Sequence, residues 1–262
     1  MEQTKRVDFL QSLENMRQQE KERLSKCLVY KCVRCGNDFQ SGLVVAQDIK
    51  NLGDNKNYCP TGCYDEYQTE RRVKYYSENA EKILFEHNFP KRFLMWDKET
   101  LNPKMKKVLD DLDPAGFFLC GKTGSGKTCL SVVFAKELTK TQKNIYFQNV
   151  PELLFEIKGT FDQENKVFND YGLICKWAEK PYLILDDLGA EKVTEYVRQS
   201  LYTLINKRYL DNLPTFFTSN LSLDEIAARL DDRISSRIFE MCGAPIDLGN
   251  EDLRLKKHGG KE

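Results

Sequence analysis

The chain has 262 residues, which is enough for one large domain and one smaller domain. Its 40 basic and 40 acidic residues cancel, which excludes a uniformly basic protein that coats nucleic acid but not a local basic stripe. No apolar run approaches the roughly 20 residues that cross a bilayer, and the charged N-terminus has no apolar signal segment. We therefore expect a soluble, cytoplasmic protein without a membrane partner.

Residues 1–26 predict a single charged N-terminal helix with a thin apolar stripe. Phe9, Leu13, Met16 and Leu24 fall along one face of that helix. Such a stripe packs on the parent domain or binds a partner, and the sequence leaves both interpretations open.

Paired cysteines mark the next segment, residues 27–80. Cys32 and Cys35 form a C-x-x-C pair followed by glycine, and Cys59 begins a second pair with Cys63. Clustered cysteines in a cytosolic chain are more typical of metal ligands than of disulfides, and four thiolates suit tetrahedral zinc. Cys27 is a substitute ligand, and unligated thiols or a redox pair are the alternatives. The spacing therefore predicts a zinc-binding domain with a closed, structural site.

The remainder of the chain predicts a linker followed by alternating strands and helices. A helical pattern over 64–88 ends before Pro90, whose ring disfavours helix in the preceding residue. Residues 81–114 form the linker, 115–250 the main domain and 251–262 a tail. Apolar strands separated by helices indicate a parallel sheet covered on both faces. Strands are expected at 117–120, 145–149, 182–186, 214–218 and 244–248, and helices at 127–140, 151–159, 166–178, 192–211 and 222–239.

The segment GKTGSGKT, directly after the first of these strands, fits the phosphate-binding pattern G-x-x-x-x-G-K-[ST]. Its glycines let successive backbone amides face one point, and the following helix N-terminus adds positive potential there. Lys127 is expected to reach the β- and γ-phosphates, and Thr128 offers its hydroxyl to Mg²⁺. An exposed glycine-rich turn is the alternative, which the flanking strand and helix disfavour. The predicted ATP-binding residues are Gly121, Lys122, Thr123, Gly124, Ser125, Gly126, Lys127 and Thr128.

A second strand runs directly into two carboxylates, Asp186 and Asp187. Ligands of open parallel sheets bind outside the carboxyl ends of the strands, so this strand end and the glycine-rich loop are expected to meet. Asp186 is placed to hold the hydration shell of Mg²⁺, and Asp187 to orient or deprotonate the attacking water. The two motifs predict an α/β P-loop ATPase that converts ATP and water to ADP and phosphate, with Lys127 and Asp187 as catalytic residues.

Two weaker signals come later in the chain. Ser219 and Asn220 end the next strand, where the amide of Asn220 contacts the γ-phosphate or the attacking water, or simply starts a turn. Arg233 and Arg237 lie four residues apart on one helix face. They form a solvated or ion-paired surface, or an arginine finger that reaches the ATP of a neighbouring subunit.

In this order and spacing, GKTGSGKT, YLILDDLGAE, LPTFFTSN and DRISSRI resemble the AAA+ ATPases that load bacterial replicative helicases. The pattern is most similar to the DnaC and DnaI type loaders, including phage-borne versions, alongside the IstB transposition helpers, and it covers residues 85–250. The resemblance implies a five-stranded sheet whose sensor strand lies between the P-loop strand and the strand with the paired carboxylates. It also implies that Asn220 senses the γ-phosphate and acts in catalysis. Arg237, with Arg233 as a second candidate, would be a finger supplied in trans within a ring or spiral oligomer.

Two departures from the wider AAA+ pattern affect the expected activity. Many AAA+ enzymes carry Glu where this chain has Asp187, which is one methylene shorter, so we expect slow, assembly-dependent hydrolysis. Only about 25 residues follow Arg237, too few for the C-terminal helical lid of other AAA+ proteins, so no lid is expected.

The resemblance also implies a function. DnaI type loaders carry a small zinc-binding N-terminal domain that grips the helicase, so residues 1–80 are the expected helicase-binding module. The chain would then load a hexameric, DnaB-type replicative helicase onto single-stranded DNA in replication initiation, with ATP, Mg²⁺ and Zn²⁺ as cofactors. The alternative is an IstB-like transposition helper that binds DNA and recruits a transposase. A zinc-organised adaptor that only binds nucleotide is a third class.

Overall fold

The computed structural model describes residues 29–32, 34–40, 63–159, 170–249 and 251–253. The chain divides into two compact units, Met1–Arg72 and Val73–Glu262. The helix predicted for residues 1–26 lies outside the described residues, as do Cys27 and Cys59. Among the helices that the structure describes, none is long and apolar enough to span a membrane.

The first unit contains a short hairpin and the start of a long helix. Strand β1 (Val29–Lys31) pairs in antiparallel fashion with β2 (Asp38–Gln40). Helix α1 (Cys63–Glu86) begins at a cysteine and continues into the second unit. Asp65 and Glu66 lie in its first turn, where the positive end of the helix dipole favours carboxylates.

The second unit is built on a five-stranded parallel sheet. Its strands are β3 (Gly116–Cys120), β4 (Ile145–Asn149), β5 (Tyr182–Leu188), β6 (Thr215–Ser219) and β7 (Ile246–Asp247). The strand order is β4–β5–β6–β3–β7, so the strand order implied by the family resemblance is confirmed. The helices described in this unit are α2 (Lys91–Leu94), α3 (Pro103–Asp110), α4 (Lys127–Lys140), α5 (Val150–Gly159), α6 (Asp170–Ala178), α7 (Glu195–Leu210), α8 (Leu223–Arg229) and α9 (Asp232–Cys242).

One helix predicted from the sequence is two helices in the structure. The apolar pattern predicts a single helix over 222–239, but α8 and α9 are separate and this prediction is wrong. The carboxylate of Asp231 accepts a hydrogen bond from the N–H of Arg233, and this N-cap starts a new helix. Smaller differences occur at α7, which begins at residue 195 instead of 192, and at β7, which has two residues instead of five.

Successive side chains of β3 point to opposite faces of the sheet and fill two separate cores. Phe117 and Leu119 pack with Ile184 and Phe216 of neighbouring strands against the apolar side of α4. Phe118 lies on the opposite face, in the core that α5, α6 and α7 cover. Because both faces are covered, the strands read as continuous apolar runs in the sequence. The helices thereby hold the carboxyl ends of β3, β5 and β6 side by side.

A buried arginine fixes the other end of the sheet. Arg208 of α7 is 0% exposed and donates from Nε to Oγ1 of Thr215 at 2.8 Å. Its two terminal nitrogens donate to the carbonyl groups of Ala178 (2.9 Å), Lys180 (2.6 Å) and Pro214 (2.6 Å). Burial lowers the pKa of Arg208 to about 9, which still leaves the side chain charged at neutral pH. Since these acceptors precede or begin β5 and β6, Arg208 fixes the two strands relative to each other.

We expect Arg208→Met to lower the free energy of unfolding by about 3–5 kcal/mol, because four buried acceptors would lose their shared donor. Urea denaturation followed by circular dichroism measures the change. Arg198→Met is the matched control on the same helix, since the Arg198 side chain is 43% exposed. The control should cost less than about 0.5 kcal/mol, and an equally small cost for Arg208→Met would contradict the assigned role.

Candidate nucleotide-binding site and cysteine cluster

The loop between β3 and α4 has a backbone shape suited to phosphate groups. Gly121, Gly124 and Gly126 all have positive φ, and Gly126, with φ 93°, is the residue directly before α4. This φ lies in the left-handed region that favours glycine, so the conformation of the loop requires glycine at Gly126. The N-terminus of α4 is therefore left open, an arrangement that binds phosphate groups in many proteins.

Lys127 and Asn220 meet beside this loop, although 93 residues separate them in the chain. Nζ of Lys127 donates to Oδ1 of Asn220 at 2.8 Å, and to the carbonyl groups of Gly121 at 2.8 Å and Lys122 at 3.0 Å. The Lys127 side chain is buried, and Asn220 directly follows β6. The structure thus brings together the lysine and the amide that the sequence assigns to the γ-phosphate.

A bulge at the end of β5 sets the position of the two carboxylates. The register of β5 against β6 shifts there, so that Asp186 and Asp187 oppose a single residue, Thr218. Asp187 has φ 57°, in the left-handed region that bulged residues adopt. The Thr218 hydroxyl donates to Oδ1 of Asp186 at 2.6 Å and accepts from the N–H of Asp187 at 3.0 Å. One hydroxyl group therefore fixes both residues.

Asp186 is buried and joins the strand end to the phosphate loop. The Thr128 hydroxyl donates to Oδ1 of Asp186 at 3.0 Å. Burial and the neighbouring charge of Asp187 raise the pKa of Asp186 to about 6. A divalent cation would offset this unfavourable burial of charge, and oxygen ligands of this kind suit Mg²⁺. Thr128 and Asp186 are therefore the residues that fit a magnesium ion.

A cavity of about 250 Å³ opens in front of these groups, and its lining residues fall into two chemical groups. The polar group, called the polar half, is the phosphate loop together with Asp187 and Asn220. The mainly apolar group, called the apolar or aromatic half, is Phe93, Trp96, Met105, Cys129 and Leu253, together with Arg92. Such a mixed lining suits a ligand that carries both phosphate groups and a planar base.

The predicted phosphate-loop residues divide into three groups. Those that line the cavity are Thr123, Gly124, Gly126, Lys127 and Thr128. Gly121 and Lys122 instead supply carbonyl groups to Lys127. Ser125 is buried, and its hydroxyl has no hydrogen-bond partner within the part of the chain that the structure describes.

Arg233 and Arg237 make contacts within their own chain and do not line the cavity. Arg233 pairs with the carboxylate of Asp231 at 2.8 Å. Arg237 donates from Nε to Oδ1 of Asn206 at 2.7 Å and from Nη2 to the hydroxyl of Tyr202 at 3.0 Å. Both guanidinium groups also lie over the Tyr202 ring, at 4.5 Å and 4.8 Å from its centre.

Sequence reasoning misses Thr218 and the aromatic half of the cavity. The signal for Thr218 is a hydroxyl residue in an otherwise apolar strand that ends at a polar site. Phe93 and Trp96 fall in the segment predicted as a linker, where two aromatic residues close to the P-loop domain are the available signal. Neither signal identifies a contact, because both contacts depend on the packing of distant segments.

Three cysteines form a second candidate site, in the first unit. The sulfur atoms of Cys32, Cys35 and Cys63 all lie within 4.8 Å of one another. Zn–S bonds of about 2.3 Å in a tetrahedral site separate the sulfurs by about 3.8 Å, so this cluster fits zinc. Gly36, with φ 76°, donates its N–H to the carbonyl group of Cys32 at 3.0 Å and closes the turn that carries the first pair. The fourth predicted ligand, Cys59, lies outside the described residues.

Ion pairs connect this turn to the start of α1. Nε of Arg34 lies 3.0 Å from the carboxylate of Glu66, and Nη1 lies 3.0 Å from that of Glu70. Such exposed pairs add little to stability, and they link the turn to the first turns of α1.

Comparisons with known proteins identify a family and a set of relatives. A family model described as IstB-like ATP binding protein matches residues 112–259, more than half of the chain. The replicative helicase loader DnaI of Bacillus subtilis (strain 168) is 33% identical over 156 aligned positions, and the match covers 53% of this chain and 47% of that protein. The replicative helicase loader DnaC of Escherichia coli (strain K12) is 23% identical over 137 residues, which are 52% of this chain and 55% of that protein. The chain thus spans about half the length of these curated relatives.

Solved structures agree on the fold. The crystal structure of DnaI is 27% identical with a TM-score of 0.50, covering 62% of this chain and 93% of that chain. The crystal structure of the DnaC helicase loader is 24% identical with a TM-score of 0.51, covering 62% of this chain and 100% of that chain. The second unit therefore has the α/β P-loop fold of the AAA+ proteins, as the sequence predicts.

We expect the purified chain to carry about one zinc ion and Cys32→Ser to lose it, because Cys32 is the buried member of the cluster. Zinc is measured by mass spectrometry of the protein after removal of free metal. Cys175→Ser changes a cysteine outside the cluster and should retain the ion. A full equivalent of zinc in Cys32→Ser would contradict the metal assignment.

Proposed function

The chain belongs to the family of IstB-like ATP-binding proteins, and we propose that it is an ATP-dependent loader that places a hexameric replicative helicase on single-stranded DNA. The observation that carries the loader proposal is the cysteine cluster ahead of the P-loop unit. DnaI type loaders have a zinc-binding domain at this position, whereas transposition helpers of the IstB type usually have a helical region without paired cysteines. The curated relatives described above are named as helicase loaders, which supports the same proposal.

The two halves of the cavity suit binding of ATP. Backbone amides at the N-terminus of α4 and the ammonium group of Lys127 would bind the β- and γ-phosphates. Asn220, which already contacts Lys127, would sense the γ-phosphate at the end of β6. Thr128 and Asp186 would hold Mg²⁺, which would supply positive charge that neutralises the phosphate oxygens. The adenine base would lie in the apolar half.

Asp187 is the proposed general base or water-orienting residue of ATP hydrolysis. Its carboxylate lines the cavity in the polar half, and its backbone is fixed by the hydroxyl of Thr218. Aspartate reaches less far than the glutamate of many AAA+ enzymes, so the attacking water must lie close to the strand end. We therefore propose slow hydrolysis in the isolated chain.

Arg237 is the proposed arginine finger, and it would act in a neighbouring subunit. No arginine of α9 lines the cavity of its own chain, although charge development on the γ-phosphate calls for a cation in addition to Lys127. A ring or spiral of several chains would place Arg237 of one chain beside the γ-phosphate of the next. Its contacts with Asn206 and Tyr202 would hold the guanidinium group on the surface until assembly.

The partners proposed for the whole protein are a DnaB-type helicase, single-stranded DNA and further copies of the chain. Residues 1–80 would bind the helicase, because DnaI type loaders use their zinc-binding domain for this purpose. Contact with single-stranded DNA is proposed from the family resemblance alone. Binding through phosphate contacts must weaken as salt concentration rises, and binding that does not weaken would remove DNA from the list of direct partners.

A transposition helper is the second candidate function. It is favoured by the description of the matching family model, which names IstB. Such a protein would use the same ATP site and differ in its partner, a transposase. The partner captured from cells therefore distinguishes the two functions, whereas ATP hydrolysis does not.

We expect Asp187→Asn to retain ATP and its protein partner, because it removes the proposed base but leaves the phosphate loop intact. The tagged variant is purified with ATP and Mg²⁺ from cells that encode the protein, and the proteins that copurify are identified by mass spectrometry. Lys127→Ala is the control that should lose nucleotide. A replicative helicase should be enriched about ten-fold or more over a purification with the tag alone.

The cysteine cluster gives a second control in the same experiment. Cys32→Ser should lose the helicase while keeping its ATP, if the zinc-binding domain is the helicase-binding module. Recovery of a transposase in place of a helicase would contradict the loader proposal and support the transposition helper.

We expect Arg237→Ala to bind ATP with unchanged affinity but to lose about 10³-fold in assembly-dependent hydrolysis, the magnitude typical of arginine fingers. Mixing it with Lys127→Ala should restore part of the activity, because the second chain supplies Arg237 to the intact cavity of the first. Turnover is measured by phosphate release over a range of protein concentrations. If Arg237→Ala alone hydrolysed ATP at the parental rate, Arg237 would have no role in hydrolysis beyond its contacts with Asn206 and Tyr202.

A further inference from the structure

Lys136 lies in the second half of α4 and is a buried cation to which the ATPase mechanism gives no role. Its side chain is 7% exposed. Nζ donates to the carbonyl groups of Leu94 at 2.6 Å and Trp96 at 3.0 Å, and to Oε1 of Glu81 at 2.7 Å. An ammonium group has three N–H donors and is costly to bury unless they are used, so these three acceptors fix its position.

The two carbonyl acceptors belong to the segment that forms the aromatic wall of the cavity. Phe93 lies in α2, Trp96 follows it, and both side chains line the cavity. Because α2 has a single turn, the carbonyl group of Leu94 lies at its C-terminus, where no further turn of the helix supplies a donor. Lys136 supplies donors at Leu94 and Trp96 and thereby fixes the backbone next to Phe93 and at Trp96 itself.

Helix α4 also begins the phosphate site, with Lys127 in its first turn. Nine residues separate Lys127 from Lys136, which corresponds to about 13 Å along a helix axis. One rigid helix therefore carries both the lysine of the phosphate half and the lysine that holds the aromatic half. Helix α4 therefore links the phosphate loop to the segment that carries Phe93 and Trp96.

We propose that Lys136 is a positioning residue for the nucleotide base: it holds Phe93 and Trp96 at a fixed distance from the phosphate loop. This inference rests on the proposed function, in which the cavity binds ATP. Glu81 contributes less, because its side chain is 64% exposed and such pairs are weak in water. The two carbonyl groups are the contacts that matter for the base.

Removing the ammonium group while keeping most of the length of the side chain tests this role. Lys136→Met is prepared in the full chain, and its affinity is compared for two probes, Mg·ADP and Mg·tripolyphosphate, which lacks a base. We expect binding of Mg·ADP to weaken about ten-fold or more, while binding of Mg·tripolyphosphate changes less than about two-fold. Lys140→Met is the control on the same helix, where Lys140 pairs with Glu137 at the surface, and should change neither affinity.

A second variant and a fluorescence measurement test the same role independently. Lys136→Gln retains a donor and should show a smaller loss for Mg·ADP with the same insensitivity to tripolyphosphate. The chain has two tryptophans, so Trp177→Phe leaves Trp96 as the sole fluorescent reporter of the aromatic wall. In that background Mg·ADP should change the emission of Trp96, and Lys136→Met should reduce this change.

The possible outcomes separate this inference from the proposed function. Equal losses for Mg·ADP and Mg·tripolyphosphate would show that Lys136 acts through the stability of the whole fold, and unchanged affinity for both would show that it has no role in binding. Either result overturns the positioning role alone. A parental chain that binds neither probe would overturn the proposed ATP site itself.

Discussion

The hydroxyl group of Thr218 is the contact on which the candidate ATPase site depends. It donates to the buried carboxylate of Asp186 and accepts from the backbone of Asp187, and it thereby stabilises the bulge that ends β5. This contact exists because β6 lies between β3 and β5. The same strand places Asn220 beside Lys127. A single central strand therefore aligns the magnesium ligand, the proposed base and the proposed sensor.

Helix α4 connects the phosphate loop to the segment that carries the aromatic residues of the cavity. Its N-terminus presents the phosphate loop, and Lys136 in its second half binds the segment that carries Phe93 and Trp96. The helix is buried along most of its length against β3 and β6, so it cannot shift without disturbing the core. The position of Phe93 and Trp96 relative to the phosphate loop is consequently a property of the fold.

The surface formed by α7 and α9 shows how such a site can depend on assembly. Arg237 is held by Asn206 and by the ring and hydroxyl of Tyr202, outside the cavity of its own chain. If Arg237 acts in the ATP site of a neighbouring subunit, the rate of ATP hydrolysis depends on oligomer formation. An isolated chain would then hydrolyse ATP slowly and would retain it until the assembly is complete.

The sequence by itself determined the features that depend on neighbours along the chain. The phosphate loop is eight consecutive residues, and the first cysteine pair is a turn of five, so both follow from local composition. The apolar runs likewise determined a parallel sheet. The paired carboxylates indicated the edge of that sheet at which the candidate site lies. Only the tertiary structure decided the contacts of Thr218, Lys136 and Arg208. Each of the three side chains acts on backbone or carboxylate groups that lie elsewhere in the chain, and no periodicity in a sequence encodes which distant group a buried donor will meet.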